Sequence, residues 1–240
     1  MKELRTEKLT KFYGEKRVVN EVSIKVREGE VVGLLGPNGA GKTTTFNMIV
    51  GAIRPASGSI HLDGEELTSL PMYQRARKGI GYLSQEPSVF RKLTVRNNLL
   101  AILETLPISK SAREERLDEL LEELKISHLV PRRADSLSGG ERRRVEISRA
   151  LTTNPSFILL DEPFTGIDPI ARADIQQIML ELKEKGLGLL ITDHNVRETL
   201  EITDRAYLMY DGRILFKGTS EELTQDPEVK RVYLGERFRL

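Results

Sequence analysis

Short apolar runs separated by helix-like stretches dominate this 240-residue chain. The runs at residues 31–35 and 157–160 contain only apolar residues and glycine, as expected for strands buried on both faces of a sheet. Further strands are predicted at residues 80–83 and 188–192, and a hairpin at residues 207–216 around the turn Asp211-Gly212. Because these strands alternate with helical segments, the pattern predicts an α/β fold.

The first third of the chain is predicted to be rich in β-structure. Residues 4–9 and 18–26 show partial alternation, and residues 14–16 and 28–30 have the composition of turns. A short strand followed by a turn is predicted at residues 58–64. This region is the expected site of an N-terminal antiparallel β subdomain.

Between residues 86 and 135 the pattern becomes helical. One helix is predicted at residues 94–106, ending before Pro107, and another at residues 111–125, with Ser111 and Glu114 as its capping box. Four leucines of the second helix have the i, i+3, i+4, i+7 spacing of one buried stripe: Leu117, Leu120, Leu121 and Leu124. Core packing explains this stripe better than a partner groove does.

Three later helices are predicted at residues 138–153, 169–185 and 196–203. Near the end, Asp226, Pro227 and Glu228 can begin another helix, which Gly235 can end. The last five residues, Glu236-Arg237-Phe238-Arg239-Leu240, alternate charged and apolar side chains. They are compatible either with packing on a partner or with fraying into solvent.

Composition excludes several classes of function. Lys and Arg number 37 against 36 Asp and Glu, so no basic field suggests nucleic acid. The chain has no cysteine, and its three histidines (His61, His128, His194) are too scattered to suggest a metal centre. No apolar run approaches the ~20 residues of a membrane span, and the N-terminus lacks the apolar core of a signal peptide. A cytoplasmic location is expected.

The segment from Gly36 to Thr43, GPNGAGKT, matches G-x-x-x-x-G-K-[ST] between a predicted strand and a predicted helix. Backbone N–H groups of such a loop bind phosphate oxygens, and the positive end of the next helix favours their charge. Lys42 is expected to reach the β- and γ-phosphates and the Thr43 hydroxyl to bind Mg²⁺. The predicted nucleotide-binding residues here are Gly36, Pro37, Asn38, Gly39, Ala40, Gly41, Lys42, Thr43 and Thr44.

Two carboxylates follow the apolar run at residues 157–160. Asp161 and Glu162 lie where open α/β sheets bind ligands, at the carboxyl end of a strand. Asp161 is expected to hold Mg²⁺. By strand alternation Glu162 is expected to point to the opposite side and to polarise the attacking water.

The segment LSGGE, from Leu137 to Glu141, predicts a helix start with Ser138 as N-cap and Glu141 closing a capping box. Capping does not explain Gly139 and Gly140, since each glycine weakens a helix by roughly 1 kcal/mol relative to alanine. With GPNGAGKT, this segment resembles the signature of the ATP-binding subunits of ABC transporters. The resemblance implies that Ser138, Gly139 and Gly140 bind the γ-phosphate of ATP on a second subunit, in a head-to-tail homodimer with two ATP at the interface.

The same resemblance assigns roles to further residues. A lone histidine is usually structural. By the resemblance, however, His194 matches the switch histidine that helps to orient the water and Glu162. Gln85 matches the glutamine that senses Mg²⁺ and water, although many relatives have proline where this chain has Ser84. Tyr13 matches the aromatic residue that stacks on adenine, with Phe12 as its rival. Residues 165–168 fit the loop that crosses the dimer interface, but Asp168 is equally explained as a helix N-cap.

The fold implied by the resemblance is a P-loop NTPase core of the ABC ATPase type, with the β subdomain and an inserted α-helical subdomain. We expect one ABC ATPase domain over residues 1–240. Residues 1–85 and 136–240 would form the RecA-like core with the β subdomain, residues 86–135 the helical subdomain, and residues 220–240 a C-terminal helical tail.

A transporter ATPase must also dock on a membrane subunit, through the segment after Gln85. Phe90 and Arg91 suit such a surface, although Phe90 can instead anchor the core of the helical subdomain. A soluble ABC ATPase acting on ribosomes or DNA is disfavoured by the short length and short insert. A switch that barely hydrolyses ATP is disfavoured by the presence of both Glu162 and His194.

The amino-acid sequence, along nearly the whole chain, most resembles one subfamily: the cytoplasmic ATPases of lipopolysaccharide exporters of Gram-negative bacteria. The resemblance rests on GERRRVEI from Gly140, LLITDHNVRET from Leu189 and the tail VKRVYLGERFRL. It implies ATP and Mg²⁺ as cofactors, two transmembrane permease subunits as partners, and peripheral attachment to the cytoplasmic face of the inner membrane. The alternative is the ATPase of a branched-chain amino-acid importer.

Overall fold

The structure is a computed structural model that describes residues 1–193 and 195–235. Its strands are β1 (Glu3–Tyr13), β2 (Lys16–Val22), β3 (Lys25–Arg27), β4 (Val31–Leu35), β5 (Ser57–Leu62), β6 (Glu65–Glu66), β7 (Ile80–Leu83), β8 (Phe157–Asp161), β9 (Gly188–Thr192), β10 (Arg205–Tyr210) and β11 (Arg213–Gly218). Its helices are α1 (Lys42–Val50), α2 (Met72–Arg77), α3 (Val95–Leu103), α4 (Lys110–Glu123), α5 (Gly139–Leu151), α6 (Pro169–Glu184), α7 (Val196–Ile202), α8 (Ser220–Gln225) and α9 (Pro227–Val229).

Two sheets form the framework, as predicted. The larger has the strand order β11-β10-β4-β9-β8-β7, in which β11 is antiparallel and the other five strands are parallel. The smaller is antiparallel, with the order β2-β1-β5-β6 and with β3 also paired to β1. Because β4, β8 and β9 run in the same direction, their carboxyl ends lie at one edge of the larger sheet.

Alternate residues of the central strands face two separate apolar clusters. Ile158 and Leu160 of β8 pack on the side of α3, α4, α5 and α6. Leu159, between them, packs on the side of α1 and the antiparallel sheet. Residues on both faces are at most 2% exposed. The prediction that this run is a strand buried on both faces is therefore confirmed.

Helices α3 and α4 lie between β7 and β8 in the chain. The four predicted leucines of α4 and the turn after it are buried against Val95, Leu99 and Leu103 of α3, which confirms that the stripe is core packing. The boundaries of the helical subdomain, at residues 86 and 135, stay a prediction.

The predicted start of α4 is wrong. Ser109, not Ser111, caps the helix, and its hydroxyl accepts a hydrogen bond from the Ala112 N–H at 3.1 Å. With Ser109 as N-cap the N3 residue is Ala112, so Glu114 closes no capping box; its carboxylate pairs with Arg96 instead. The helix α3 also ends early, at Leu103, since the chain then forms a turn in which the Leu106 N–H donates to the Leu103 carbonyl.

The β-rich segment predicted at residues 18–26 contains the end of β2 and all of β3, which are separated by Ser23 and Ile24. Glu21, within β2, adopts a left-handed backbone conformation (φ 54°). The helix α2 was not predicted, whereas α8 lies in the predicted C-terminal helical tail, residues 220–240. In the tail, Asp226 caps α9 and Gly235 ends the following turn, as predicted, while residues 236–240 lie outside the described residues.

Candidate functional site

The loop between β4 and α1 requires glycine at two positions for steric reasons. Gly36 has φ 148°, and a Cβ there would lie 2.2 Å from the Met209 carbonyl oxygen. Gly41 has φ 104°, and its Cβ would lie 2.6 Å from the Val18 carbonyl oxygen. Only glycine fits these conformations without moving a neighbouring backbone. The loop is therefore wedged between β2 and β10, in a form in which backbone N–H groups can bind an anion.

Lys42 extends along the inside of this loop. Its residue is 8% exposed, and its Nζ donates to the carbonyls of Gly36 at 2.7 Å and Pro37 at 3.0 Å. Burial lowers the pKa of Lys42, while the carboxylates of Glu162 and Asp161 act in the opposite direction. A phosphate oxygen is a stronger acceptor for an ammonium than a carbonyl is, so the Lys42 side chain is suited to bind one.

Asp161 ends β8 and is 2% exposed. Its Oδ1 accepts a hydrogen bond of 2.6 Å from the hydroxyl of Thr192, at the end of the neighbouring strand β9. Burial raises the pKa of Asp161, whereas the Thr192 hydrogen bond and the positive charges of Lys42 and Arg143 lower it. A cation beside this carboxylate would favour its ionised form.

The oxygen atoms available here fit Mg²⁺. Thr43 exposes its hydroxyl in the first turn of α1, and Asp161 supplies a carboxylate; hard oxygen ligands of this kind suit Mg²⁺. Within residues 1–193 and 195–235, no group of three His, Cys, Asp or Glu could hold a metal by itself. Thr43, Asp161 and Gln85 stay the predicted Mg²⁺ residues, with phosphate and water oxygens as the other ligands.

Glu162 does not continue the strand, so the premise that strand alternation sets its direction is wrong. Its φ of 47° is left-handed, and β8 ends one residue earlier. Its Oε2 accepts hydrogen bonds of 3.0 Å from Gln85 Nε2 and from Thr165 Oγ1. The turn brings Glu162 and Gln85 together, as the sequence-based roles require, while those roles themselves stay predictions.

The segment LSGGE begins α5 as predicted. The Glu141 N–H donates to the Ser138 hydroxyl at 3.2 Å, and the Ser138 N–H donates to the Glu141 carboxylate at 2.7 Å. A Cβ on Gly139 would lie 3.0 Å from the Gly166 carbonyl oxygen, and one on Gly140 would lie 2.6 Å from the Ala171 Cβ. Gly140 is thus packed too closely against α6 for a side chain, and Gly139 lies tightly against the turn before α6.

The polar edge of this signature segment is open. Ser138 is exposed, and a cavity of about 350 Å³ lies between it and residues such as Arg144, Asp168 and Ile170. Among the described residues, no hydrogen bond joins the signature segment to the loop of Gly36–Thr43 in the same chain.

The aromatic candidates lie at the end of β1, and both are accessible. Tyr13 is 53% exposed and lies beside the Lys11 ammonium, while Phe12 is 40% exposed and lies beside the Arg17 guanidinium. Either ring can therefore stack on a base, and the choice of Tyr13 stays a prediction.

Two predictions concern the ends of α6 and β9. Asp168 is the N-cap of α6, and its Oδ1 accepts from the N–H groups of Ile170 and Ala171. The capping explanation is confirmed, whereas a role of Asp168 at a dimer interface stays a prediction. His194 lies outside the described residues.

The segment after Gln85 presents Phe90 to the surface. The ring is half exposed (49%), and the guanidinium of Arg149 lies over it at 4.7 Å. Val89, rather than Phe90, is the buried residue that packs with the helical cluster. Buried Asn98 bonds both the N–H and the carbonyl of Phe90, at 2.8 and 3.1 Å. This exposure contradicts the alternative in which Phe90 anchors the subdomain core; Arg91 is exposed as well.

Sequence reasoning missed a buried ion pair in α5. Arg143 and Glu146 are 5% and 4% exposed, and Arg143 Nη1 lies 3.2 Å from Glu146 Oε2. Arg143 also donates to the carbonyls of Pro163 at 2.9 Å and Glu162 at 3.0 Å. Glu146 accepts from the Ser88 N–H at 2.9 Å. The pair thus connects the turn at Glu162 with the segment that carries Phe90. The i, i+3 spacing was its only sequence signal.

Comparison with known proteins gives one family and close relatives. A family model described as "ABC transporter" matches residues 19–165. The "Lipopolysaccharide export system ATP-binding protein LptB" of Acidithiobacillus ferridurans is 56% identical, over 99% of this chain and 98% of that protein. The protein of the same name in Escherichia coli K12 is 55% identical over 100% of both chains.

Solved structures give the same picture. An ATP-binding cassette of an ABC transporter in its ADP conformation has a TM-score of 0.88 and 36% identity, over 98% of this chain and 100% of that one. A dimeric ATP-binding cassette in a post-hydrolysis state, bound to ADP and Pi, has a TM-score of 0.79 and 26% identity, over 90% of this chain and 98% of that one.

Proposed function

Because the chain belongs to the ABC transporter family, we propose that it is the ATP-hydrolysing subunit of a lipopolysaccharide exporter. ATPase activity is the activity of this family. The cargo is inferred from the relatives named for lipopolysaccharide export, which match along the full chain. In the exporter, ATP hydrolysis would drive extraction of lipopolysaccharide from the inner membrane.

The observation that carries the ATPase assignment is the grouping of complementary residues at the carboxyl edge of the larger sheet. The loop after β4 supplies N–H groups and Lys42 for the phosphates. Asp161 after β8 and Thr43 in α1 would hold Mg²⁺, which neutralises charge on the phosphates and on the leaving group. Glu162 and Gln85, already hydrogen-bonded to each other, would hold the attacking water.

In this mechanism the protein positions groups and forms no covalent intermediate. Glu162 would accept a hydrogen bond from the water and draw its proton away as the oxygen attacks the γ-phosphorus. Ser138, Gly139 and Gly140 of a second copy would complete the phosphate site, so two ATP would lie at the interface of a head-to-tail dimer. Hydrolysis would remove the γ-phosphate that joins the two copies and allow the dimer to open.

Membrane attachment would come from the partners. In the described ranges, no helix has the length and apolar character needed to cross a bilayer. We propose that Phe90 and Arg91 dock on two transmembrane permease subunits at the cytoplasmic face of the inner membrane.

The reaction is tested with Glu162→Gln. The variant is expected to bind Mg²⁺-ATP and to remain dimeric on size-exclusion chromatography with ATP, while phosphate release falls by two orders of magnitude or more. Wild-type protein that dissociates after hydrolysis is the control. If the variant hydrolyses ATP at the wild-type rate, Glu162 is not the residue that activates water.

The cargo is tested by purifying the tagged protein from detergent-solubilised membranes and identifying the bound proteins by mass spectrometry. Recovery of lipopolysaccharide-export permeases is expected. Recovery of amino-acid permeases instead would overturn the cargo and leave the ATPase assignment intact.

A further inference from the structure

Arg75 is a buried cation that the proposed mechanism does not use. It lies in α2 and is 1% exposed. Its Nη1 donates to the carbonyls of Met48 and Ile49, both at 2.7 Å, its Nε to Leu70 at 2.8 Å, and its Nη2 to Thr68 at 2.9 Å. Every acceptor is a backbone carbonyl, and none of its contacts among the described residues is a carboxylate. A buried charge compensated only by carbonyls serves to hold backbone segments together.

Two of those carbonyls belong to the last turn of α1, the helix that follows the phosphate loop. Carbonyls of a last turn lack the i+4 N–H partner of the helix interior, and they form its negative end. Here the Met48 carbonyl also accepts the long 3.3 Å hydrogen bond from the N–H of the capping Gly51. The helix α1 has no basic residue in its last turn. Arg75 therefore supplies the missing positive charge from a different helix.

The contact is close enough to require glycine at the end of α1. Gly51 caps the helix with φ 87°, and a Cβ there would lie 2.8 Å from Arg75 Nε. The guanidinium is thus packed directly against the end of α1, while its other two bonds fix it to the segment before α2.

At its other end, α1 begins with Lys42 and Thr43. A helix of nine residues is about 13 Å long and moves as a rigid unit. Its N-cap residue is Gly41, so no side-chain hydrogen bond caps the first turn. Holding the far end is therefore an effective way to fix where Lys42, Thr43 and the first N–H groups lie relative to the loop.

We propose that Arg75 is a positioning residue of the nucleotide site: by binding the last carbonyls of α1, it places the phosphate-binding end of that helix. This inference rests on the nucleotide site proposed above. Arg75 acts on ATP affinity through α1 and does not touch the nucleotide, since its bonds are at the opposite end of the helix.

A merely structural role predicts a different result. If Arg75 only stabilised the fold, substitution would reduce the folded fraction, so kcat per total protein would fall while KM for ATP stayed constant. A misplaced α1 in folded protein raises KM and the ATP dissociation constant, with a smaller change in kcat. Comparing the change in KM with the change in kcat therefore distinguishes positioning of α1 from stabilisation of the fold.

The first test is Arg75→Lys, with Arg77→Lys as the matched control. Lysine keeps the charge but has no planar fork, so it cannot bond carbonyls on both segments as arginine does. Arg77 lies in the same helix but is exposed, beside the Tyr73 ring. We expect Arg75→Lys to weaken binding of a fluorescent ATP analogue roughly tenfold and Arg77→Lys to leave it unchanged.

The second test leaves Arg75 in place, in case its substitution prevents folding. Gly51→Ala puts a methyl group where the guanidinium lies, while Gly64→Ala, with φ 84°, introduces similar backbone strain where nothing lies within 4 Å. Weaker ATP binding by Gly51→Ala alone supports the proposal. Equal affinities of the two glycine variants would overturn it.

Thermal melts and circular dichroism establish the folded fraction of each variant. The proposal is overturned if Arg75→Lys is folded and binds ATP with wild-type affinity, or if only kcat falls. If the wild-type protein itself binds no ATP, the proposed nucleotide site is wrong, and this inference falls with it.

Discussion

At the scale of single residues, Asp161 has an unfavourable environment for its charge. Burial raises its pKa above the ordinary value of 3.8, so the folded protein holds a proton in a pH range where the unfolded chain has lost it. Free energy of unfolding therefore falls as pH rises from about 3.8 through the folded-state pKa. Mg²⁺ offsets this cost only when it is bound.

Asp161→Asn is accordingly expected to be more stable than the wild type in the nucleotide-free protein at neutral pH. The amide oxygen can still accept the Thr192 hydrogen bond. Thermal melts at several pH values check this: the difference should vanish as pH falls below 3.8, where both side chains are neutral. A wild type that is more stable at neutral pH would contradict the prediction.

Gly36→Ala is expected to damage the phosphate loop. The new methyl group would lie 2.2 Å from the Met209 carbonyl oxygen, so either the loop or β10 must move, at a cost of about 1–3 kcal/mol. Nucleotide titration should give ATP binding at least tenfold weaker. Gly39→Ala is the control, since nothing lies within 4 Å of that position. Equal losses in both variants would show that backbone strain, not the clash, is responsible.

The roles of residues that stand in short sequence motifs could be predicted, whereas the roles of side chains that bind distant backbone carbonyls could not. Lys42, Asp161 and Ser138 stand in short motifs whose spacing carries the chemistry. Arg75 and Arg143 bond carbonyls of distant segments. A carbonyl is the same at every position of a sequence, so nothing in the pattern marks its partner.

At the scale of elements, α5 combines two tasks. Its first turn presents the signature residues, and its next turns carry the buried pair Arg143–Glu146. Burial lowers the pKa of Arg143, and Glu146 opposes that effect. Pairing thus keeps a charged residue inside the protein, against the turn that holds Glu162.

Arg143→Met is expected to destabilise the protein by about 3–5 kcal/mol, because it leaves the Glu146 carboxylate buried without its partner. Adding Glu146→Gln should recover part of the loss, since the amide is neutral and can still accept from the Ser88 N–H. Denaturant titration of both variants measures the coupling. Strictly additive losses would mean that the pair does not interact.

Element positions were predictable to within a few residues, and their ends depended on competing caps. Ser109 and Ser111 are both good N-caps in sequence. In the structure Ser109 is the N-cap, and Glu114, the partner that Ser111 would need, pairs with Arg96 of α3. Sequence alone does not distinguish the two serines, because both have capping side chains and the ion pair involves a different helix.

At the scale of the whole molecule, strand order determines which residues meet. Placing β9 between β4 and β8 brings Thr192 beside Asp161. The sequence indicated parallel strands, but their order depends on long-range packing of two apolar clusters, which local pattern does not contain.

Phe90→Ala tests the proposed docking surface. The side chain is half exposed, so its loss should change the unfolding free energy by less than about 1 kcal/mol, whereas co-purified membrane subunits should fall severalfold. Val89→Ala is the control. It removes a buried contact, so it should lower the unfolding free energy more than Phe90→Ala does and reduce co-purification less. Unchanged co-purification with Phe90→Ala would place the docking surface elsewhere.

The left-handed backbone of Glu162 has an evolutionary consequence. A side chain in that conformation costs about 1 kcal/mol or more, which glycine would not. Selection on backbone strain alone would therefore favour glycine at this position, although glycine would also lose the hydrogen bonds that Glu162 accepts from Gln85 and Thr165. Consensus or stability-guided engineering of this chain should hold position 162 fixed, because here the substitution that relieves backbone strain removes the group proposed to activate water.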